Sequence, residues 1–141
     1  MKTDIMGIAF DNVTMQEALD KATAILQGNK TCYAVTPNAE IAYEAMKDES
    51  LRALINGADL VLPDGAGVVL ASKILKTPLK QKVAGVDFAD GLLGLLAESG
   101  RSVYLLGSKP GVAELAAEKM REKHPGLIIC GMHDGYFKDE A

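Results

Sequence analysis

The chain has 141 residues, a formal net charge of −4, and 48% hydrophobic against 24% charged residues, which suits one soluble domain able to bury a core without disulfides. Scattered Lys and Arg, few aromatics and no Trp argue against a basic, base-stacking nucleic-acid face. No apolar run approaches the ~18 residues of a membrane span, no signal-peptide core opens the chain, and Cys32, Cys130, His124 and His133 lack metal-ligand spacing, so no metal or other cofactor is expected.

Both cysteines sit in or beside apolar strand candidates and are expected to be buried free thiols of a reducing compartment. Ile5 to Phe10 reads as a short strand or hairpin arm. Thr14-Met15-Gln16-Glu17 has capping-box spacing, and Ala18, Leu19, Ala22, Ile25 and Leu26 continue at helical period, predicting a helix over Met15 to Gln27 that Gly28 and Asn29 stop. Cys32 to Val35 reads as a second strand, ending at Thr36-Pro37-Asn38. A helix with Ile41, Ala42 and Ala45 follows, for which Asn38 is a candidate cap with Pro37 just before it. Asp48 to Ser50 offers the next cap and Gly57 the next stop. Asp59 to Leu62 reads as the third strand.

Leu62-Pro63-Asp64-Gly65-Ala66-Gly67 then turns from that strand into a small helix over Gly67 to Leu75. Asp64 stands either as a helix cap or as a carboxylate at the carboxyl edge of a parallel sheet, where ligands bind in open α/β folds. Gly65 suits a sharp turn and close ligand approach. After Lys80-Gln81-Lys82, the run Val83 to Asp87 leads into a helix from Phe88 to Glu98, with Asp87 as its expected cap. Ser102 to Leu106 is the fourth strand. Gly107-Ser108-Lys109-Pro110-Gly111 turns into a helix bearing Val112, Leu115, Ala116 and Met120. Pro125-Gly126 breaks the chain before a fifth strand, Leu127 to Cys130. Strands alternating with helices predict an α/β, Rossmann-like, mostly parallel sheet with helices on both faces. Lys138-Asp139-Glu140-Ala141 looks like the acidic first turn of a further helix, so the sheet is expected to be incomplete at its C-terminal end.

In such a sheet Thr36-Pro37-Asn38, Asp64-Gly65 and Gly107-Ser108-Lys109 converge on one edge. The Gly107 loop opening a helix suits a phosphate, with Lys109 adding charge, although a plain glycine turn reads equally well there. It is neither a G-x-G-x-x-G fingerprint nor a P-loop. His133 and Tyr136 follow the fifth strand, and their spacing does not decide whether they share that edge.

Five blocks occur in order: Thr36-Pro37-Asn38-Ala39-Glu40, Leu62 to Val69, Val83-Ala84-Gly85-Val86-Asp87, Leu105 to Gly111, and Gly135-Tyr136-Phe137. Together they resemble the WecG/TagA/CpsF glycosyltransferase family (glycosyltransferase family 26) over essentially the whole chain from Ile5. The resemblance implies a single α/β glycosyltransferase domain over residues 1–141 and an inverting enzyme. Its donor would be UDP-N-acetylmannosamine and its acceptor undecaprenyl-diphosphate-linked N-acetylglucosamine, as in teichoic-acid or surface-polysaccharide synthesis. It would work at the cytoplasmic membrane surface, peripheral at the inner face, without a cofactor. Asp64 falls on the family's proposed general base, and Thr36 and Asn38 on its Thr and Asn. Gly65, Lys82, Asp87, Gly107, Ser108, Lys109 and Tyr136 are the candidate substrate-binding residues. The chemistry fits: a carboxylate can take the acceptor hydroxyl proton, and backbone N–H groups can hold a departing diphosphate.

Lys82 stands where the family usually has Arg, which exchanges a two-pronged anion contact for a point charge. The family's later G-x-P-x-Q-E-like segment and C-terminal appendage are not in the chain, which is expected to be a fragment of a longer protein. An uncovered sheet face would favour a homo-oligomer. The competing reading is a non-catalytic nucleotide-binding α/β module that uses the Gly107 loop. A dinucleotide oxidoreductase lacks its fingerprint glycines here.

Overall fold

A computed structural model describes residues 1–138. The chain forms two compact units, Met1–Ala89 and Asp90 onward, and each is taken by itself.

The first unit opens with an antiparallel hairpin, β1 (Lys2–Ile5) and β2 (Ile8–Asp11), paired from Lys2↔Asp11 to Ile5↔Ile8. Its two-residue turn has Met6 at φ 59° and Gly7 at φ 84°, the positive-φ pair whose twist matches the strands it joins. Asn56 closes the turn from outside: its Oδ1 accepts from Ala9 N and its Nδ2 donates to Gly7 O, both at 2.9 Å. Helix α1 (Met15–Gln27) begins at the expected capping box, with Thr14 Oγ1 accepting from Glu17 N at 3.2 Å and Glu17 Oε2 accepting from Thr14 N at 2.9 Å.

Strands β3 (Ala34–Val35) and β4 (Leu60–Val61) pair in parallel, Ala34↔Leu60 and Val35↔Val61, joined through α2 (Ala39–Lys47) and α3 (Glu49–Asn56). Asp48 caps α3, its Oδ1 accepting from Leu51 N at 3.0 Å. Gly57 ends α3 in right-handed geometry, φ −79°, so its terminus uses no left-handed residue. Helix α4 (Ala66–Ile74) follows β4, and the first turn of α5 (Gly85–Ser99) completes the unit. The core gathers Ile5, Ile8 and Phe10 from the hairpin, Ala42, Ala45 and Ile55 from α2 and α3, and Val61, Val68 and Leu79. Phe10 is fully buried, a contribution of about 1.5–3 kcal/mol by area removed from water.

The second unit holds the rest of α5, strand β5 (Ser102–Leu106), helix α6 (Val112–Lys123) and strand β6 (Ile128–His133). Strands β5 and β6 pair in parallel from Ser102↔Ile128 to Leu106↔His133, with a register shift at Val103/Tyr104. Asp90 ties α5 to the end of α6: its Oδ2 accepts from Lys123 Nζ at 2.7 Å, and its Oδ1 lies 2.8 Å from His124 Nε2.

The α/β, Rossmann-like class holds, with small sheets. Among the described residues the strands make three two-stranded pairs rather than one continuous ladder. The break beside β4 has a visible cause. Val61 N donates to the side chain of Asp11 (Oδ2, 2.9 Å) instead of to a backbone carbonyl of β2. Several boundaries also differ from expectation, the third strand keeping only Leu60 and Val61 in its ladder. The second strand keeps only Ala34 and Val35 in its ladder, although Asp59 N still donates to Tyr33 O at 2.9 Å. The last strand begins at Ile128 and runs on to His133. Helix α5 begins at Gly85, three residues before Phe88. The thiols are free but not buried as expected, because Cys130 lies on the exposed face of β6 and Cys32 is half-buried. The acidic turn read at Lys138-Asp139-Glu140-Ala141 lies, after Lys138, outside the described residues.

Candidate active site

The parallel pair β3–β4 sets the geometry of the first unit's loop cluster. Beyond the ladder, Leu62 N donates to Val35 O at 2.9 Å and Asp64 N to Pro37 O at 3.3 Å. The Thr36-Pro37-Asn38 and Pro63-Asp64-Gly65 stretches therefore leave the sheet side by side. Val83 N then donates to Pro63 O at 2.8 Å, which draws the Lys82-to-Gly85 segment alongside. Three helices, α2, α4 and α5, start at this one edge. Helix starts present unpaired N–H groups and partial positive charge.

Asp64 is half-buried there, and its Oδ2 accepts from Gly85 N at 3.1 Å. The carboxylate thus holds a free amide at the start of α5, a helix that begins 21 residues further along the chain. It does not cap α4, whose N-cap is Gly65, at φ 99° and ψ 151°, with no side-chain bond. That backbone conformation is one a side chain would strain. Among the described residues Asp64 Oδ1 accepts no hydrogen bond, so one oxygen is held and the other is not.

Gly85 is as constrained as Asp64. A β-carbon placed on it would stand 2.9 Å from Thr36 Oγ1 and 3.1 Å from Thr36 Cβ and Cγ2. Only a hydrogen fits between the Thr36 side chain and α5, so the hydroxyl of Thr36 and the carboxylate of Asp64 meet at the same residue. Asn38 is the N-cap of α2, its Oδ1 accepting from Ile41 N at 2.9 Å. The cap reading of Asn38 is correct for its oxygen, and its exposed Nδ2 takes no part in that bond. Gly65 faces Asn38 Cβ, and a β-carbon on Gly67 would lie 3.0 Å from Ala39 Cβ. The starts of α2 and α4 are therefore in near contact.

Lys82 is exposed, directly before the Val83–Pro63 bond. Asp87 corrects an expectation, since it lies inside the first turn of α5 instead of capping it. The long-range bond from Asp64 has already fixed where that helix starts, and an acid in the first turn complements the helix dipole. Gly85 escaped the sequence reading as a site residue. Its signal was a glycine inside the Val83-to-Asp87 block, but nothing local says that a distant Thr will pack on it.

In the second unit the Gly107 loop and the segment after β6 are joined at the carboxyl ends of their strands. Gly107 N donates to His133 O at 2.9 Å and Gly135 N to Ser108 O at 2.8 Å. Tyr136 N donates to Asp134 Oδ1 at 2.8 Å, and the His133 ring meets Phe137 edge-on at 5.9 Å. Gly107, Ser108 and Tyr136 are thus brought together, with Tyr136 exposed and Ser108 in left-handed geometry at φ 65°. Lys109 is exposed on the same loop. Helix α6 starts from Gly111, also left-handed at φ 87°, with no capping side chain on its first-turn amides. A groove of about 320 Å³ runs beside them, lined by Leu106, Ser108, Val112, Ala116 and Met120 among others.

Among the described residues four carboxyls have acidities moved by their surroundings, and none belongs to the candidate catalytic set. Burial pushes Asp11 up, but its bonds from Lys2, Val61 N and Lys21 outweigh this and hold it below the usual range. Lys80 and the Thr14 amide lower Glu17, the Tyr33 amide lowers Asp59, and Lys123 with His124 lowers Asp90.

Comparison with known proteins bears on what this arrangement does. A model described as "Glycosyl transferase WecG/TagA/CpsF family" matches residues 3–141. An N-acetylglucosaminyldiphosphoundecaprenol N-acetyl-beta-D-mannosaminyltransferase of Bacillus spizizenii (strain W23) is 37% identical over 118 residues, covering 84% of this chain and 46% of the relative. The protein of the same name from Staphylococcus aureus (strain NCTC 8325) is 33% identical over 137 residues, covering 96% of this chain and 54% of the relative. The chain spans about half the length of the curated relatives it matches.

Proposed function

The chain belongs to the WecG/TagA/CpsF family of glycosyl transferases, and from that premise we propose that it carries the catalytic half of an N-acetylmannosaminyltransferase. The donor is UDP-N-acetylmannosamine and the acceptor N-acetylglucosamine on undecaprenyl diphosphate, with the protein peripheral at the inner face of the membrane. The reading rests on one observation above others. The candidate base, Asp64, is half-buried at the carboxyl edge of a parallel strand pair, held through one oxygen by a helix-start amide, with Thr36 packed on the same residue.

Asp64 Oδ1 takes the proton of the acceptor hydroxyl as that oxygen attacks the anomeric carbon. The new glycosidic bond forms as the bond from that carbon to UDP breaks, and the diphosphate leaves with the electron pair. The relatives' name specifies a β-linked mannosaminyl product, which a single in-line displacement on an α-linked nucleotide sugar yields with inversion. The Gly85 amide fixes the orientation of the carboxylate, so proton transfer needs no search by the side chain. Thr36 Oγ1 and Asn38 Nδ2 orient hydroxyl or acetamido groups of the sugars. Lys82, exposed beside this edge, offsets charge on the leaving diphosphate.

Asp64→Asn keeps the shape and the Gly85 bond but removes the base. Transfer from UDP-N-acetylmannosamine to the lipid-linked acceptor should fall about 10²–10⁴-fold, with thermal unfolding unchanged. Near-normal turnover in this variant would overturn the assignment.

A further inference from the structure

We propose that the outer face of α4 is a docking surface for an anionic phospholipid bilayer, an inference that rests on the lipid-linked acceptor argued above. Within the nine-residue α4, Val68 and Ser72 face inward, while Leu70 and Ile74, one turn apart, face outward. Leu70 is 60% exposed, Ile74 72%, and Leu75 at the helix end 52%. Lys73 and Lys76, both exposed, stand among them.

From Gly65 to Val86 the chain carries four lysines and no carboxylate, although its net charge is −4. Lys80 pairs with Glu17 at 2.9 Å, and among the described residues Lys73 and Lys76 form no ion pair. Exposed apolar side chains with lysines beside them suit contact with an anionic lipid surface. Among the described residues no helix is long and apolar enough to cross a membrane.

Lys76 adds an independent sign. It follows the helix end at φ 59°, where Lys76 N donates to Lys73 O and Thr77 N to Ser72 O. A left-handed residue closing a helix is normally glycine, which adopts that conformation without a β-carbon clash. Here a lysine occupies it and keeps its charge beside Ile74 and Leu75.

The site and the surface are two ends of one helix. Asp64 lies two residues before α4 begins, and Ile74 stands about 12 Å along the axis from Ala66 at 1.5 Å per residue. A bilayer against this face leaves the polyprenyl tail in lipid while the sugar diphosphate reaches the carboxylate.

The test is sedimentation of the full-length protein with phosphatidylglycerol-containing vesicles, against pure phosphatidylcholine vesicles, at low and high salt. Binding should require the anionic lipid and weaken with salt. Ile74→Asp should cost about ten-fold in vesicle affinity while leaving turnover of a short-chain, water-soluble acceptor unchanged. Lys76→Gly should cost about five-fold with a Tm at or above that of the parent, so the loss cannot come from unfolding. Asp64→Asn should bind vesicles like the parent, which separates failure of the catalytic reading from failure of this one. Unchanged vesicle binding in both Ile74→Asp and Lys76→Gly overturns the proposal. So does an Ile74→Asp variant that turns a dimer into a monomer and still binds vesicles, because a second copy would then be the occupant.

Discussion

The two units solve the same local problem, a loop leaving the carboxyl end of a parallel strand, with different materials. In the first, side chains and backbone cooperate: Asp64 holds Gly85, Thr36 packs on it, Asn38 caps α2, and a dense core of hairpin and helix residues lies behind. In the second, the Gly107 loop is held by backbone bonds to His133 and Gly135, above strands with Tyr104, Leu106 and Ile128 exposed. The first loop cluster is preorganised, which suits groups that take part in bond making. The second is built from glycine and main chain.

The contrast can be broken most forcefully at Asp11. This carboxylate, only 3% exposed, pairs with Lys2 and Lys21 and takes the Val61 amide that no backbone carbonyl of β2 receives. Asp11→Ala leaves that amide unpaired and should cost about 2–3 kcal/mol in chemical denaturation, carried by the first unit. The same group sets an acid limit. Because its folded value lies below the usual one, near 3.8, its stabilisation is complete above that value and is lost as pH falls through the folded value. Asp11→Asn should flatten this acid limb. A parent whose stability is independent of pH below 4 would contradict the assignment.

Gly85→Ala comes next. The added methyl must displace Thr36, at a cost of about 1–2 kcal/mol. Transfer activity should fall about ten-fold or more, as the Asp64 carboxylate and the Thr36 hydroxyl lose their common support. An alanine variant with parental turnover would show that the close packing is incidental. Asn38→Ala removes the α2 cap for about 1 kcal/mol by thermal unfolding. Lys123→Ala, which cuts a solvent-exposed pair in the second unit, should fall within the scatter of the same measurement. A larger effect at Lys123 than at Asn38 would reverse the comparison.

What could be read in advance divides along the range of the interactions. The Thr14–Glu17 box, the Asn38 and Asp48 caps and the span of β5 depend on neighbours within a few residues, and they stand where the sequence places them. The start of α5 does not, because Pro63 and Asp64 pull residues 83–85 into place from some twenty positions away and override the local signal of Asp87 before Phe88. Cys130 departs from expectation for a related reason. An apolar strand looks buried on both faces, but Ile128 and Cys130 alternate onto the exposed face of β6. At the candidate site, the residue types and their order were legible in Thr36, Asn38 and Asp64. The partner that fixes the carboxylate was not.

That partner carries a consequence in time. Asp64 precedes Gly85 by 21 positions, so at a synthesis rate of about 5–20 residues per second the carboxylate is made roughly one to four seconds before its amide. The hairpin, the Asn38 cap and the β3–β4 pairing draw only on residues already made by then. The nascent chain therefore holds the residues of its hairpin and β3–β4 pair before it holds the amide that fixes the candidate base.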